Sequence, residues 1–277
     1  MDYRRKIFAL RDLPTIPVIA QKILAVVDQD NTAAEKIATL IESDQSLTVR
    51  ILTLANSAYY GRRRQIATVK QAVVVIGWVM LKQVSLGVVM SKTLGTGLHR
   101  IGFWRHSMMT AHAASIAAER SGLKNVEVAF IAGLLHDVGK LVMDSTLPEE
   151  YQRARALVEQ TGCPLVDAER KIFQTDHVEV GTWMAERWQF PPELIAAISL
   201  HHTAETPTGP HAKLIAAVFV ANKLVNAVDY QVKHPDSPLI IEIPDSVGSV
   251  IGSTPEKLLA ITVELERRRR DIERMLA

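Results

Sequence analysis

The sequence predicts an all-α protein, with an N-terminal helical half packed on a second helical half and a C-terminal helix after them. Three observations carry this. Apolar residues recur at three- and four-residue steps along almost the whole chain, which is the period of a helix face. Helix-starting residues (Asp, Asn, Thr, Pro) stand just before those runs. Strand signals are scarce, and Leu239 to Ile243 is the only run with a strand's composition.

The first long segment follows Pro17, with Ile19, Ile23, Val26 and Val27 on one face. Asn31 or Thr32 caps the next, which carries Ile37, Leu40 and Ile41. Another follows Asp44 with Leu47, Ile51 and Leu54, and ends at Asn56-Ser57 and a Tyr59-Tyr60-Gly61 turn. Thr68 caps a helix through Val75, and Gly77 separates it from one holding Leu81, Val84 and Val88. Gly95-Thr96-Gly97 marks the boundary between the halves. The second half opens with a helix from about Ile101 to Arg120. Next comes a continuous, almost wholly apolar helix from about Val126 to Val142, expected to be central and buried. Pro148 starts a more polar helix ending near Gly162. Further helices run through Arg170, from Asp176 to Trp188, from Pro192 to His202 and from Lys213 to Val228. Residues 235–253 read as an irregular connector. Pro255, after Thr254, then starts a terminal helix with Leu258, Ile261, Leu265, Ile272 and Met275 on one stripe. The stripe is interrupted by Arg268, expected to reach out to solvent while the helix packs within its own chain. The resulting division is 1–98, 99–230 and 231–277.

Composition excludes some classes. A chain of 277 residues can bury a sizeable core, and its 22% charged residues are ordinary for a globular protein. The net charge of +2 gives no general pull toward nucleic acid or acidic membranes. The short runs Arg62-Arg63-Arg64 and Arg267 to Arg270 read as a solvated loop and a salt-bridged helix face, so no nucleic-acid partner is expected. The most apolar stretch, Ala72 to Leu81, is too short to span a bilayer, so no membrane partner is expected either. The single cysteine, Cys163, and the absence of a signal-peptide core point to the cytoplasm.

The chemistry concentrates in histidines. Val128, Ile131, Leu135, Val138 and Val142 form one stripe of the central segment. His136 and Asp137 lie off it, one turn after Ala132 and Gly133, on a face kept small. His106 is flanked in the same way by Gly102, Thr110, Ala113 and Ala117. His177 falls one turn before Gly181, and His201-His202 end an apolar helix. One such histidine is usually a satisfied core residue. Five of them with an aspartate, all beside apolar helix faces, point instead to a metal, because a buried His-Asp group is costly unless paired or bound to an ion. Imidazole with carboxylate suits Fe, Mn, Ni, Co or Zn, and a carboxylate can bridge two ions.

These residues, in this order, resemble the HD-superfamily phosphohydrolases, especially the HD-GYP branch. The surroundings resemble the HDOD family still more, a relative found in bacterial signalling proteins. The shared features are Leu13-Pro14, Asn56 to Gly61, Trp104-Arg105-His106-Ser107, Gly133 to Lys140, Asp176-His177 with Gly181, Trp188 with Pro191, and His201-His202. They cover roughly residues 13 to 228. The resemblance implies an HD-type second half. It also implies one metal site from His106, His136, Asp137 and a late aspartate, and a second from His177, His201 and His202, with Asp137 bridging. Lys140 resembles a residue that faces a phosphate. The late aspartate is replaced by Asn222, in Val220-Ala221-Asn222-Lys223-Leu224, and the Gly-Tyr-Pro signature is absent. Asp229, seven residues on, would substitute only if its helix were displaced along its axis. The expectation is therefore a signalling module without catalysis, retaining a metal site and acting through a signalling protein partner. The alternative is a metal-dependent phosphohydrolase acting on a nucleotide or cyclic dinucleotide.

Overall fold

A computed structural model describes residues 3–9, 21–22, 38–39, 41–56, 66–77, 81, 84–86, 98–203 and 207–276. Among these there is no β-strand, and Leu239 to Ile243 lies in neither helix nor strand. The sequence features at Leu13 to Ala20, Ile23 to Val27, Asn31 to Ile37, Leu40, Ser57 to Arg64, Val88 and Gly95 to Gly97 lie outside the described residues.

The N-terminal half includes, among the described residues, helices α1 (Tyr3–Phe8), α2 (Gln45–Ala55) and α3 (Val69–Ile76). Asp44 and Thr68 cap α2 and α3 as expected, accepting the N–H of Leu47 (2.9 Å) and Gln71 (3.2 Å). Gly77, at φ +80°, ends α3 in a conformation open to glycine.

The second half opens with α4 (Leu98–Arg120), followed by α5 (Val126–Leu135) and α6 (Val138–Thr146). Then come α7 (Pro148–Thr161), α8 (Leu165–Phe173), α9 (His177–Arg187), α10 (Pro192–Leu200) and α11 (Ala212–Lys233). Helices α12 (Asp245–Ile251) and α13 (Pro255–Leu276) close the chain. Helix α4 is central, with α5, α11 and α13 packed on it. The approach of α5 is set by Gly133, where a Cβ would come within 2.8 Å of the Ala111 Cα on α4. One continuous core joins Ile51 and Leu54 of the first half to Ala111, Phe130, Phe219 and Leu265. A smaller one gathers Ile7, Met143, Tyr151, Phe173 and Met184.

Four expectations are corrected. The central helix is not continuous: it breaks at His136-Asp137, where Asp137 sits at φ −98°, ψ 11° and accepts only the i+3 bond from Lys140 N–H. Adjacent residues of an unbroken helix point about 100° apart; the break lets both side chains serve one site. The last helix of the second half runs on to Lys233, which fixes Asp229 on its final turns. The connector contains α12, whose Val247 and Ile251 enter the core; its few apolar residues among Gly and Ser leave no readable period.

The fourth correction concerns Arg268. Helix α13 is covered within the chain, as expected, with Ile261, Leu265 and Ile272 buried and α4 and α2 beneath it. Arg268 does not run to solvent. It pairs with Glu264 at 2.9 Å and donates to His112 Nδ1 at 3.3 Å, because α4 offers a buried imidazole lone pair below it. Burial, then the charge of Arg268, push His112 down to about 3. His112 is thus neutral in the fold, whereas an unfolded histidine protonates near pH 6.5. The unfolded chain therefore binds the extra proton between these values, and stability falls as pH drops through that window. The limiting slope is about 1.4 kcal/mol per pH unit for one such group. We expect His112→Gln to flatten the acid limb of stability by about one proton, read by urea unfolding at pH 7 and pH 5. An unchanged slope would show that His112 is not a source of it.

Candidate metal centre

Four places in the second half deliver histidines to one point. Helix α4 supplies His106, the α5–α6 break supplies His136 and Asp137, the first turn of α9 supplies His177, and the end of α10 supplies His201 and His202. Helix α9 can come this close because Gly139 and Gly181 face each other. A Cβ on Gly139 would overlap the carbonyl oxygen of His177.

Asp137 is 1% exposed and divides its carboxylate between two groups. Its Oδ1 faces His177 Nε2 at 3.3 Å and His201 Nε2 at 3.4 Å. Its Oδ2 faces His136 Nε2 at 3.2 Å, His106 Nε2 at 3.6 Å and Lys140 Nζ at 2.6 Å. His202 Nε2 lies 3.1 Å from His177 Nε2. Two sets of atoms result, Asp137 with His177, His201 and His202, and Asp137 with His106 and His136, each within 4.8 Å.

The outer ring nitrogens decide what the inner ones can do. His136 Nδ1 is 2.7 Å from Gly133 O, His201 Nδ1 is 2.7 Å from Ile198 O, and His177 Nδ1 is 2.6 Å from Glu169 Oε2. All three partners only accept, so each Nδ1 carries the hydrogen, and in the neutral ring Nε2 then presents a lone pair. Those lone pairs point at a carboxylate, and His136 Nε2, His201 Nε2 and Asp137 Oδ1 are buried with no hydrogen-bond partner. Each such orphan costs about 1–3 kcal/mol. Cations held by the two sets would satisfy these atoms, so this His/Asp donor cluster fits divalent metal.

Electrostatics agree. Burial alone would raise the Asp137 carboxyl, but His136 and Lys140 beside it, with a bond from His177, hold it well below the usual carboxylate range. Burial lowers His136; it lowers His201 to about 4 and, with His201 and His177 alongside, His202 to about 2, leaving neutral imidazoles. His177 goes the other way. Burial and Lys140 lower it, but the Glu169 and Asp137 carboxylates prevail.

Glu169 is missed by the sequence reading; it stands directly before two basic residues, Arg170 and Lys171. It is fully buried on α8 and accepts both the backbone N–H (2.9 Å) and the ring N–H of His177. Leu165, Glu169 and Phe173 fall at four-residue steps, so the carboxylate occupies an apolar face. That periodicity is the signal that would have found it. Asp229 has a similar place. Its Oδ2 is 3.7 Å from the outer nitrogen of His106, not among the inner atoms. Asn222 is buried on α11, and its oxygen accepts from Asn226 at 2.9 Å. The two sets therefore share one carboxylate, Asp137. Lys140 is held by that carboxylate. Cys163 is half-buried and outside the cluster. No helix among the described residues is long and apolar enough to cross a membrane.

Comparison with known proteins agrees with this geometry. A family model described as the HDOD domain matches residues 13–204. An uncharacterized protein of Treponema pallidum is 25% identical over 91% of this chain, which spans 48% of that protein. Ribonuclease Y of Symbiobacterium thermophilum is 34% identical over 41% of this chain, which spans 16% of that enzyme. The crystal structure of an HDOD domain protein of unknown function from Geobacter sulfurreducens superposes with a TM-score of 0.76. It is 28% identical, covering 99% of this chain and 95% of that one. The MmoQ response regulator from Methylococcus capsulatus is 26% identical with a TM-score of 0.50, covering 92% and 99%.

Two outcomes follow from the geometry. Glu169→Gln keeps the shape but loses the charge behind His177, so Co(II) or Mn(II) affinity is expected to fall roughly 10–100-fold, read by metal titration. An unaltered affinity would deny Glu169 that role. Gly139→Ala forces α9 away from α6 and should both lower the melting temperature and weaken the same metal binding. Loss of neither would show that the approach of the two helices is loose.

Proposed function

The chain belongs to the HDOD domain family, and from that premise we propose that it is a signalling module that holds metal without hydrolysing phosphate esters and acts through a protein partner. The ligands in this reading are His106, His136, Asp137, His177, His201 and His202, and the ion is Fe, Mn, Ni, Co or Zn. The observation that carries it is the charge count of the cluster: one carboxylate, Asp137, serves both sets, with the neutral Asn222 where an aspartate is expected. Two divalent ions so close need anionic ligands between and around them. The set at His106 and His136 lacks its own, while the set at His177, His201 and His202 is complete.

A bound metal would supply positive charge to hold and polarise an anion. The residues do the rest: Glu169 fixes His177, the Gly133 and Ile198 carbonyls fix His136 and His201, and Lys140 keeps Asp137 ionised. The protein-partner part draws support from a relative described as a response regulator. The halves, 1–98 and 99–230, with the connector and terminal helix at 231–277, would act as one body, since a single core runs through them. The second reading, a metal-dependent phosphohydrolase for a nucleotide or cyclic dinucleotide, is favoured by the complete set and by the local similarity to ribonuclease Y.

One experiment separates the two. The protein is refilled with Mn or Fe, its metal content measured, and cyclic dinucleotides and simple phosphodiesters assayed. We expect metal to be retained and turnover to stay far below ordinary enzyme rates of about 1–1000 per second. Asn222→Asp should raise metal occupancy. Turnover at ordinary rates, abolished by His136→Ala, would establish the hydrolase instead.

A further inference from the structure

A cavity of about 290 Å³ adjoins the cluster. Lys140 and Asp229, which touch Asp137 and His106, also line this cavity. Four cations surround it, Arg105, Lys140, Arg155 and Lys233, against two carboxylates, Asp144 and Asp229. Arg105 is neutralised by Asp229 (3.5 Å) and Glu273 (3.7 Å), and Lys140 by Asp137. Arg155 of α7 and Lys233 of α11 have no ion pair among the described residues, yet they come from separate helices to line one concavity. Charges so placed are relieved by a bound anion. Phe103, Leu141 and Leu165 give the same cavity an apolar wall. The Tyr151 hydroxyl, kept protonated by burial and by the nearby Glu169, Asp137 and Asp144 carboxylates, supplies a neutral donor.

We propose that this cavity binds a small phosphate ester of about one nucleotide unit. Arg155 and Lys233 would face its phosphate, and the apolar wall its remainder. The inference deepens the metal-cluster reading, since a metal beside Lys140 adds to the charge that draws the phosphate. Two facts select the class. A phosphate monoester is a dianion that matches the two unpaired cations, and guanidinium binds phosphate in a two-pronged geometry. The volume is at the low end of ligand pockets, about 300–1,000 Å³, which suits one nucleotide unit better than the two of a cyclic dinucleotide.

The test is calorimetric titration of the full, Mn-loaded chain with inorganic phosphate and with adenosine monophosphate. It is repeated on the double variant Arg155→Gln, Lys233→Gln, with Mn content and melting temperature measured on each sample. Neither residue belongs to the cluster, and both are exposed, so folding and Mn content should be unchanged. Saturable binding, weakened at least about tenfold in the double variant, is the expected result. Equal binding by the variant, or no saturable binding by the Mn-loaded protein, would overturn the proposal. If the chain takes up no Mn but still binds phosphate in a variant-sensitive way, the cavity stands and the metal reading falls.

Discussion

Everything in the second half is arranged around one constraint: the Asp137 carboxylate is ionised and almost fully buried. Moving such a group out of water costs several kcal/mol, even after relaxation, unless it is compensated. Around it stand five imidazoles and one ammonium, drawn from helices far apart in sequence. Neutral imidazoles with their lone pairs turned inward do not compensate a negative charge; they add to the repulsion. Lys140 is the permanent cation in contact with it, at 2.6 Å. The cluster is thus more comfortable with positive charge inside it than without, which is why its donor set fits a divalent metal.

Bringing so many side chains to one carboxylate demands that backbones come closer than ordinary side chains allow. Gly133 lets α5 settle on α4, and Gly139 with Gly181 lets α9 settle on α6. The break at His136-Asp137 turns two neighbouring residues toward the same point. On the far side of the rings, Glu169 fixes the direction of His177 at 2.6 Å, and Asp229 stands 3.7 Å from His106. Helix order, glycine placement and ring orientation are consequences of one requirement.

The cluster is readable in the sequence because each histidine sits beside an apolar face, and helical period reports faces well. The caps at Asp44 and Thr68 are readable for a similar reason: a cap is a local interaction. What escapes the sequence is set by tertiary partners. The break after Leu135 has no glycine or proline to announce it, because it is imposed by where His136 and Asp137 must point. Glu169 is hidden by the charged residues after it. Arg268 looks like an interruption of the terminal stripe, because its acceptor, His112, lies 156 positions away. Helix α12 is too short to establish a period.

The terminal helix touches the site through charge but is held in place by something else. Arg105 and Arg269 meet Asp229 at 3.5 and 3.9 Å, and both reach Glu273 on α13 or its near turn, at 3.7 and 3.2 Å. These groups are partly exposed, and each pair is worth about 0–1 kcal/mol. Burying Ile261, Leu265 and Ile272 is worth about 1.5–3 kcal/mol per side chain, as an upper estimate. The apolar stripe therefore fixes α13 on α4, and the charges decide which ionised groups stand next to His106 once it is there. Asp229 is shared among His106, Arg105 and Arg269, so one partly exposed carboxylate stands between the cluster and α13.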